Sequence, residues 1–196
     1  AIKALPLLAR RGGRARPLVP PDRAAIAGEL EVLASLGGRA LFLGEADYPR
    51  ALAQIEDAPP VLSALGQPQL LTRRMVGVVG ARNASLIGKR LAESFASELA
   101  AAGVVVVSGL ARGIDASAHA GALTGGTVAV MAGGVDVIYP EENRALYTRI
   151  KGEGMLLSEI PLGVEPQGRH FPRRNRIISG LCSGVVVIEA AEMSGS

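Results

Sequence analysis

The sequence contains few of the residues on which several classes of protein depend. Its 196 residues include one cysteine, Cys182, so neither an internal disulfide nor a cysteine-based zinc site can form within the chain. No apolar run approaches the ~20 residues that a membrane-spanning helix needs, and nothing resembles a signal peptide. We therefore expect a protein of the reducing cytoplasm.

Aromatic residues and histidines are also scarce. The chain has no tryptophan, three tyrosines, three phenylalanines and two histidines, against 25 glycines. This composition favours many tight turns between strands and helices over an aromatic-rich sandwich. Neither His119 nor His170 has a neighbouring Ser or Asp pattern typical of a nucleophile system, and no cluster has metal-ligand spacing. We therefore expect no metal, no cofactor and no catalytic residue.

The net charge of +3 is unevenly distributed along the chain. Residues 1–23 carry six basic side chains and one acid, whereas the rest of the chain has slightly more acids than bases. A site for a polyanion in the body of the protein must therefore be local. The Gly/Pro/Arg-rich stretch before residue 22 is interpreted as a linker, either a solvated hinge or a phosphate-binding arm. Since the sequence lacks an initiating Met and stops just after a predicted strand, we expect it to be part of a longer protein.

The stretch from 75 to 115 is predicted to fold as strand, turn, helix, strand and turn. Met75 to Val79 and Val104 to Val107 are apolar without polar alternation, which is typical of parallel strands covered on both faces. Between them, large apolar side chains recur every four residues and are expected to form the buried stripe of a helix. The stripe consists of Ile87, Leu91, Phe95 and Leu99.

The alternation of strands and helices continues on both sides of this stretch. A helix capped by Asp22 is predicted through about Leu36, with Ile26, Leu30 and Leu33 on its buried face. Further strands are predicted at 40–43, 61–65, 127–131, 155–160 and 184–188, with helices at 116–123, after Pro140 and up to 180 or 181. This order predicts an α/β fold with a doubly wound, mostly parallel sheet.

Both strands of the central stretch end in glycine-containing polar turns, at the edge where open parallel sheets bind ligands. Arg82 stands where a dinucleotide fingerprint needs glycine, and Ser108-Gly109 stands where it needs an acid for the ribose. The amides of the helix, the Ser85 hydroxyl and Arg82 suit a phosphate oxygen instead. In the structural alternative, Ser85 only caps the helix and Arg82 pairs with a carboxylate.

A second basic segment runs from 168 to 179 and contains four arginines around Phe171, with no acid between 166 and 183. Guanidinium groups follow a phosphate backbone, and an aromatic face stacks on an unpaired base, so this chemistry favours a single strand over a duplex. The alternatives are that Phe171 anchors the core and that Arg174 and Arg176 hold neighbouring carbonyls.

Four carboxylates lie at or near predicted strand ends, where paired acids could perform acid-base catalysis. They are Asp115, Asp136, Glu159 and Glu189. Capping of helices and pairing with the local arginines explains them equally well, and we favour that interpretation.

Taken together, these motifs resemble the DNA-processing protein A family (DprA, also called Smf) of bacterial natural transformation. The matching segments cover most of the chain in order. They are Tyr48-Pro49 with residues 57–60, residues 79–85, residues 108–115, Gly133-Gly134 through Tyr139-Pro140, residues 171–180, and Glu189-Ala190 leading to residues 194–196.

The resemblance implies an extended Rossmann-like fold preceded by a small helical domain of the sterile-alpha-motif type. Residues 1–20 would be the tail of that domain and a linker, 21–74 a helical and short-strand extension of the core, and 75–196 the Rossmann-like DNA-binding domain. It also implies a non-enzymatic protein that binds and protects incoming single-stranded DNA. Such proteins form homodimers through the Rossmann-like domain and load the recombinase RecA.

Carried onto this sequence, the resemblance implies a set of residues that bind DNA and its phosphates. They are Gly80, Ala81, Arg82, Ser85, Ser108, Gly109, Leu110, Arg112, Arg169, Phe171, Arg173, Arg174, Asn175 and Arg176. Relatives often have a lysine shortly before the Phe-Pro pair, where this chain has Gly168-Arg169, so Arg169 is the candidate substitute.

Two other functions fit parts of the pattern. A phosphoribohydrolase that cleaves a nucleoside monophosphate would use the same phosphate pocket with Glu159 or Glu189 as acid-base, but its Pro-Gly-Gly-x-Gly-Thr segment is absent. A protein-binding scaffold would use the basic segment to meet acidic partners.

Overall fold

The computed structural model describes residues 22–190, and within them all seven strands form one sheet. The strands are β1 Gly38–Phe42, β2 Val61–Gly66, β3 Met75–Gly80, β4 Val105–Ser108, β5 Thr127–Val130, β6 Met155–Ser158 and β7 Val185–Ile188. The helices are α1 Arg23–Ser35, α2 Leu86–Ala101, α3 Ile114–Ala122, α4 Arg144–Glu153 and α5 His170–Leu181. Short 3-10 turns lie at Leu52–Gln54, Pro68–Thr72 and Glu141–Asn143.

The strand order is β1-β2-β6-β5-β4-β3-β7. The five strands from β6 to β7 are mutually parallel, whereas β2 runs antiparallel to β6 and β1 antiparallel to β2. From β3 the chain crosses the sheet in one direction as far as β6, and β7 then returns to the other side of β3. This arrangement confirms the predicted α/β class and the mostly parallel, doubly wound sheet, and it brings the ends of β3 and β4 to one edge.

Helices cover both faces of the sheet because successive side chains of a strand point to opposite sides. Val78 and Val106 pack with the apolar side chains of α2 and α3 on one face. Their neighbours Val105 and Val107 pack on the other face with Ile177 of α5. The central strands are therefore buried on both sides, as their unbroken apolar sequences indicate.

The predicted buried stripe of α2 is wrong in its first half, although Phe95 and Leu99 are partly buried and pack against the core. Ile87 and Leu91 are 80% and 55% exposed, whereas the buried positions are Gly88, Ala92, Ala96 and Ala100. The reason is the close approach of α3, since a Cβ at Gly121 would lie 2.1 Å from the carbonyl oxygen of Glu93. At that separation only small side chains fit where α2 packs against α3 and the sheet.

The predicted first helix is confirmed, although its buried face and its cap are not. Of its apolar side chains only Leu33 is buried, while Ile26 and Leu30 are exposed. Asp22 makes no side-chain capping hydrogen bond. The helical tail and linker predicted for residues 1–20 lie outside the described residues, so the division into domains stays a prediction. Between residues 22 and 190, no helix is both long and apolar enough to cross a membrane.

Candidate nucleic-acid interface

The first turn follows β3 and ends at Ser85, the N-cap of α2. The Ser85 hydroxyl accepts a hydrogen bond from the Gly88 amide at 2.9 Å. In addition, the carboxylate of Glu189, just beyond β7, accepts hydrogen bonds from the Ser85 amide at 2.7 Å and from the Ser85 hydroxyl. These bonds lower the pKa of Glu189 from its usual value. The beginning of α2 is thus already occupied by an anionic group of the protein itself.

Glu189 therefore occupies the position in which the sequence predicts a phosphate oxygen. The carboxylate lies directly against the first turn of α2, since a Cβ at Gly88 would come within 2.6 Å of it. Arg82 behaves differently, because its side chain is exposed and no salt bridge or hydrogen bond joins it to another described residue. Of the two predicted phosphate-binding side chains in this turn, Arg82 is the one available to a ligand.

The Arg82 side chain extends over the ring of Phe171 at the beginning of α5. The guanidinium carbon lies 4.9 Å from the ring centroid, within the range of a cation–π interaction. Phe171 is only partly buried and belongs to none of the core clusters. The alternative in which Phe171 anchors the core is therefore not what the structure shows. The contact joins the two basic motifs, which lie almost ninety positions apart in the chain.

The second turn, Ser108 to Arg112, is held along most of its length by polar side chains from other segments. Asp115 accepts hydrogen bonds from the amides of Gly109 and Ala111 at 3.1 and 3.4 Å. The Asn143 side chain donates to the carbonyls of Leu110 and Ala111 at 2.9 and 3.2 Å. Leu110 is fully buried and has a φ of 55°, a conformation rare for a residue with a side chain. These partners hold the turn in that conformation.

Arg174 completes this arrangement from α5 and is only 5% exposed. Its guanidinium donates to the carbonyls of Gly109 and Val130, both at 2.6 Å. Burial raises the pKa of Asp115, and the nearby charge of Arg174 opposes that effect. The side chain of Arg174 therefore supports the second turn from inside the protein, which is the alternative that sequence reasoning leaves open.

The other predicted arginines differ in what their side chains face. Arg176 bonds to Glu159 and lies 3.1 Å from Asp57, and Arg173 lies 3.1 Å from Glu159. Arg112 forms an exposed pair with Glu142 at 3.6 Å. Arg169 is exposed, with no salt bridge or hydrogen bond of its side chain to residues of the described range. Arg82 and Arg169 are therefore the predicted cations without a carboxylate partner in the part of the chain described here.

An open crevice of about 840 Å³ lies between the first turn, α5 and β7. Arg82 and Phe171 stand at its rim, with Asn175 and Arg176 along one wall, and the exposed side chains of Val185 and Val187 line its apolar side. The structure brings most of the predicted residues to this crevice or to the adjoining recess between Arg112 and Phe171. A volume of this size accommodates a nucleotide or more.

The acid-base candidates of a phosphoribohydrolase are both engaged. Glu189 caps α2 with a lowered pKa, the opposite of what a general acid needs. The side chain of Glu159 is 6% exposed and pairs with two arginines.

His119 is fully buried, with its Nδ1 2.7 Å from the Thr127 hydroxyl, and burial lowers its pKa to about 3. Among residues 22–190, no three His, Cys, Asp or Glu side chains are placed to hold a metal ion.

Sequence reasoning did not assign a role at the site to Tyr139 or Asn143. Tyr139 lies beside Phe171, and Asn143 bonds the second turn, although both come from the segment after β5. The signal in the sequence is the Tyr139-Pro140 pair, which belongs to the motifs that carry the resemblance. A motif of this kind marks the segment without indicating which side chains face the crevice.

Residues 39–196 match the family model described as DNA recombination-mediator protein A. The chain is 46% identical over 152 residues to the DNA processing protein DprA of Bacillus subtilis, an alignment that covers 76% of this chain and 51% of that protein. It spans about half the length of the curated relatives that it matches.

Two solved structures are similar to this chain. The X-ray structure of DNA processing protein A from Streptococcus pneumoniae gives a TM-score of 0.82 at 34% identity and covers 100% of this chain and 75% of that one. A structure of DNA processing protein A from Helicobacter pylori, described for its single-stranded DNA binding mode, gives 0.75 at 31% identity over 81% of this chain and 72% of that one.

Proposed function

Because this chain belongs to the DNA recombination-mediator protein A family, we propose that it binds single-stranded DNA in the crevice beside the first turn. The observation that carries the proposal is the contact of Arg82 with Phe171 at the rim of that crevice. A guanidinium group without a carboxylate partner among the described residues suits a phosphate, and a partly exposed ring suits an unpaired base. The name of the Helicobacter pylori relative, which refers to single-stranded DNA, supports the same ligand.

The predicted binding residues divide into two groups according to their partners. Arg82, Arg169 and Phe171 would contact the strand directly, with the backbone of Gly80 and Ala81 at the same rim. Exposed pairs such as that of Arg112 contribute little to stability, so they can exchange a carboxylate for a phosphate. The second group acts by holding the walls of the crevice, because its side chains are bonded within the protein. Its members are Ser85, Arg174 and Arg176.

The mode of binding would be independent of base sequence. Contacts to phosphates carry no sequence information, and stacking accepts any base because every base has a π face. A base inside a duplex is already stacked and paired, so Phe171 favours a single strand. The chain would bind without chemical change to the DNA.

The family supports a wider role in natural transformation. Protection of incoming strands, homodimer formation through the Rossmann-like domain and loading of RecA are parts of this proposal, as is a cytoplasmic location. Each rests on the resemblance of the motifs and on relatives of which this chain covers only about half.

The test is fluorescence anisotropy with a labelled dT oligonucleotide of ~35 residues, longer than a typical single-strand site, and with the matching duplex. We expect tight binding of the single strand, weak binding of the duplex, and an affinity that falls with salt by a log-log slope of about −0.7 per neutralised phosphate. Arg82→Ala should weaken binding to every sequence alike and make the slope shallower by about 0.7.

The matched control is Arg149→Ala, which removes an exposed arginine of α4 that pairs with Glu153. It should leave both the affinity and the slope unchanged. Equal affinity for duplex and single strand would overturn the proposal, whereas an unchanged slope in Arg82→Ala would remove Arg82 from the interface.

A further inference from the structure

A second aromatic ring, that of Tyr139, lies beside Phe171 at the recess that adjoins the crevice. The two ring centroids are 5.9 Å apart and the planes are inclined by 53°. Tyr139 is 45% exposed. The sequence has only six aromatic residues, and two of them, the exposed Tyr139 and the partly exposed Phe171, lie together at this edge of the sheet.

The hydroxyl group of Tyr139 also differs from those of the other tyrosines. Tyr48 donates to the carbonyl of Pro59 at 2.7 Å, and Tyr147 donates to that of Val135 at 2.9 Å. Within residues 22–190, no hydrogen bond joins the hydroxyl of Tyr139 to another residue. The ring and the hydroxyl are therefore both open to a ligand.

The backbone around Tyr139 is fixed independently of its side chain. The Val137 amide donates to the Gly134 carbonyl at 2.9 Å, and the Asn143 amide donates to the Pro140 carbonyl at 3.0 Å. The side chain of Asn143 is bonded in turn to the second turn. The ring is thus held at the recess by its backbone, so a ligand that stacks on it does not have to order the segment first.

We propose that Tyr139 forms a second base-binding subsite, which takes an unpaired nucleobase next to the one on Phe171. This inference rests on the proposed function, since it adds a subsite to the same interface. Neighbouring bases in a regularly stacked strand are parallel and roughly 3.4 Å apart. The wider separation and the inclination of the two rings require the two bases to be splayed, each on its own ring, with the strand bent between them.

The experiment compares two labelled probes, a dT oligonucleotide and one of equal length with abasic residues, which keeps the phosphates but has no bases to stack. We expect Tyr139→Leu to weaken binding of dT by roughly tenfold, the loss of one stacked base, with an unchanged salt slope. Binding of the abasic probe should not change. Tyr139→Phe keeps the ring and should bind dT like the unaltered protein.

The matched control is Phe42→Leu, which removes another half-exposed aromatic ring from β1 at the far edge of the sheet and should affect neither probe. Thermal unfolding of each variant separates loss of the subsite from loss of the fold. Wild-type affinity of Tyr139→Leu for dT would overturn this inference, as would equal losses for Tyr139→Phe and Tyr139→Leu. If the unaltered protein bound no single strand, the proposed function would fall as well, so the two failures are distinguishable.

Discussion

The two turns at the carboxyl edge of the sheet have similar sequences but are held in place by different contacts. The turn from Gly80 to Ser85 is fixed at its end by Glu189, and its arginine is left exposed. The turn from Ser108 to Arg112 is fixed throughout by Asp115, Asn143 and Arg174, whose polar groups face inwards. The comparison shows that an arginine at this edge can stay exposed, as Arg82 and Arg112 do, or can hold the fold from inside, as Arg174 of α5 does.

The largest expected effect tests the internal support of the second turn. Arg174→Met leaves two buried carbonyls without their donor and the buried Asp115 without a nearby cation. We expect the free energy of unfolding to fall by about 3–5 kcal/mol, measured by urea denaturation. The adjacent Arg173→Met removes an arginine that is 63% exposed and leaves Glu159 paired with Arg176, so it should change the free energy of unfolding by less than about 1 kcal/mol. If Arg174→Met and Arg173→Met lowered the free energy of unfolding equally, Arg174 would have no special role in supporting the second turn.

A smaller effect is expected from a methyl group inserted between the second turn and its support. In Gly109→Ala the new Cβ would lie 2.0 Å from a guanidinium nitrogen of Arg174, so the buried arginine must move away from its carbonyl partners. We expect a loss of about 1–3 kcal/mol in the free energy of unfolding, typical of overpacking. Gly168→Ala is the control, since nothing lies within 4 Å of its Cβ position. If the urea-unfolding midpoint of Gly109→Ala equalled that of the unaltered protein, the turn would be less tightly held than its hydrogen bonds indicate.

The smallest effect concerns the first turn and its dependence on pH. Because the pKa of Glu189 is lowered from 4.5 by its bonds to Ser85, the contact stabilises the fold above that value. The stabilisation is lost as the pH falls through the lower pKa of the folded state. The amide proton resonance of Ser85, followed by NMR from pH 7 to pH 3, should therefore titrate with a midpoint below 4.5. The same resonance should not titrate in Glu189→Gln, and a midpoint above 4.5 would contradict the assignment.

The sequence was sufficient to predict the sheet and its two turns, because runs of valine ended by glycine have few other interpretations. It could not select the buried stripe of α2, since two stripes of period four lie side by side on that helix. Hydrophobicity favours Ile87 and Leu91, but close packing against α3 selects Gly88 and Ala92. The deciding contact belongs to a different helix.

The sequence likewise predicted which residues belong to the candidate site but not which of their side chains are exposed. The basic motifs identify the arginines, and the family resemblance brings them to one region. Three carboxylates decide which predicted side chains are already bonded within the protein. Asp57 and Glu159 pair with arginines of α5, and Glu189 bonds Ser85, so each partner comes from a different segment of the chain. No local pattern encodes such pairs, so only the tertiary structure distinguishes Arg82 from Arg176.

Glu159 has a consequence for how such an interface can evolve. A single carboxylate neutralises both Arg173 and Arg176 at the wall of the crevice. One nucleotide substitution in its codon can replace Glu by Gln, which leaves Arg173 without this carboxylate and leaves Arg176 with Asp57 alone. If the crevice binds a polyanion as proposed, this single step would expose more positive charge to it, and selection on stability would set the limit because Arg176 is largely buried.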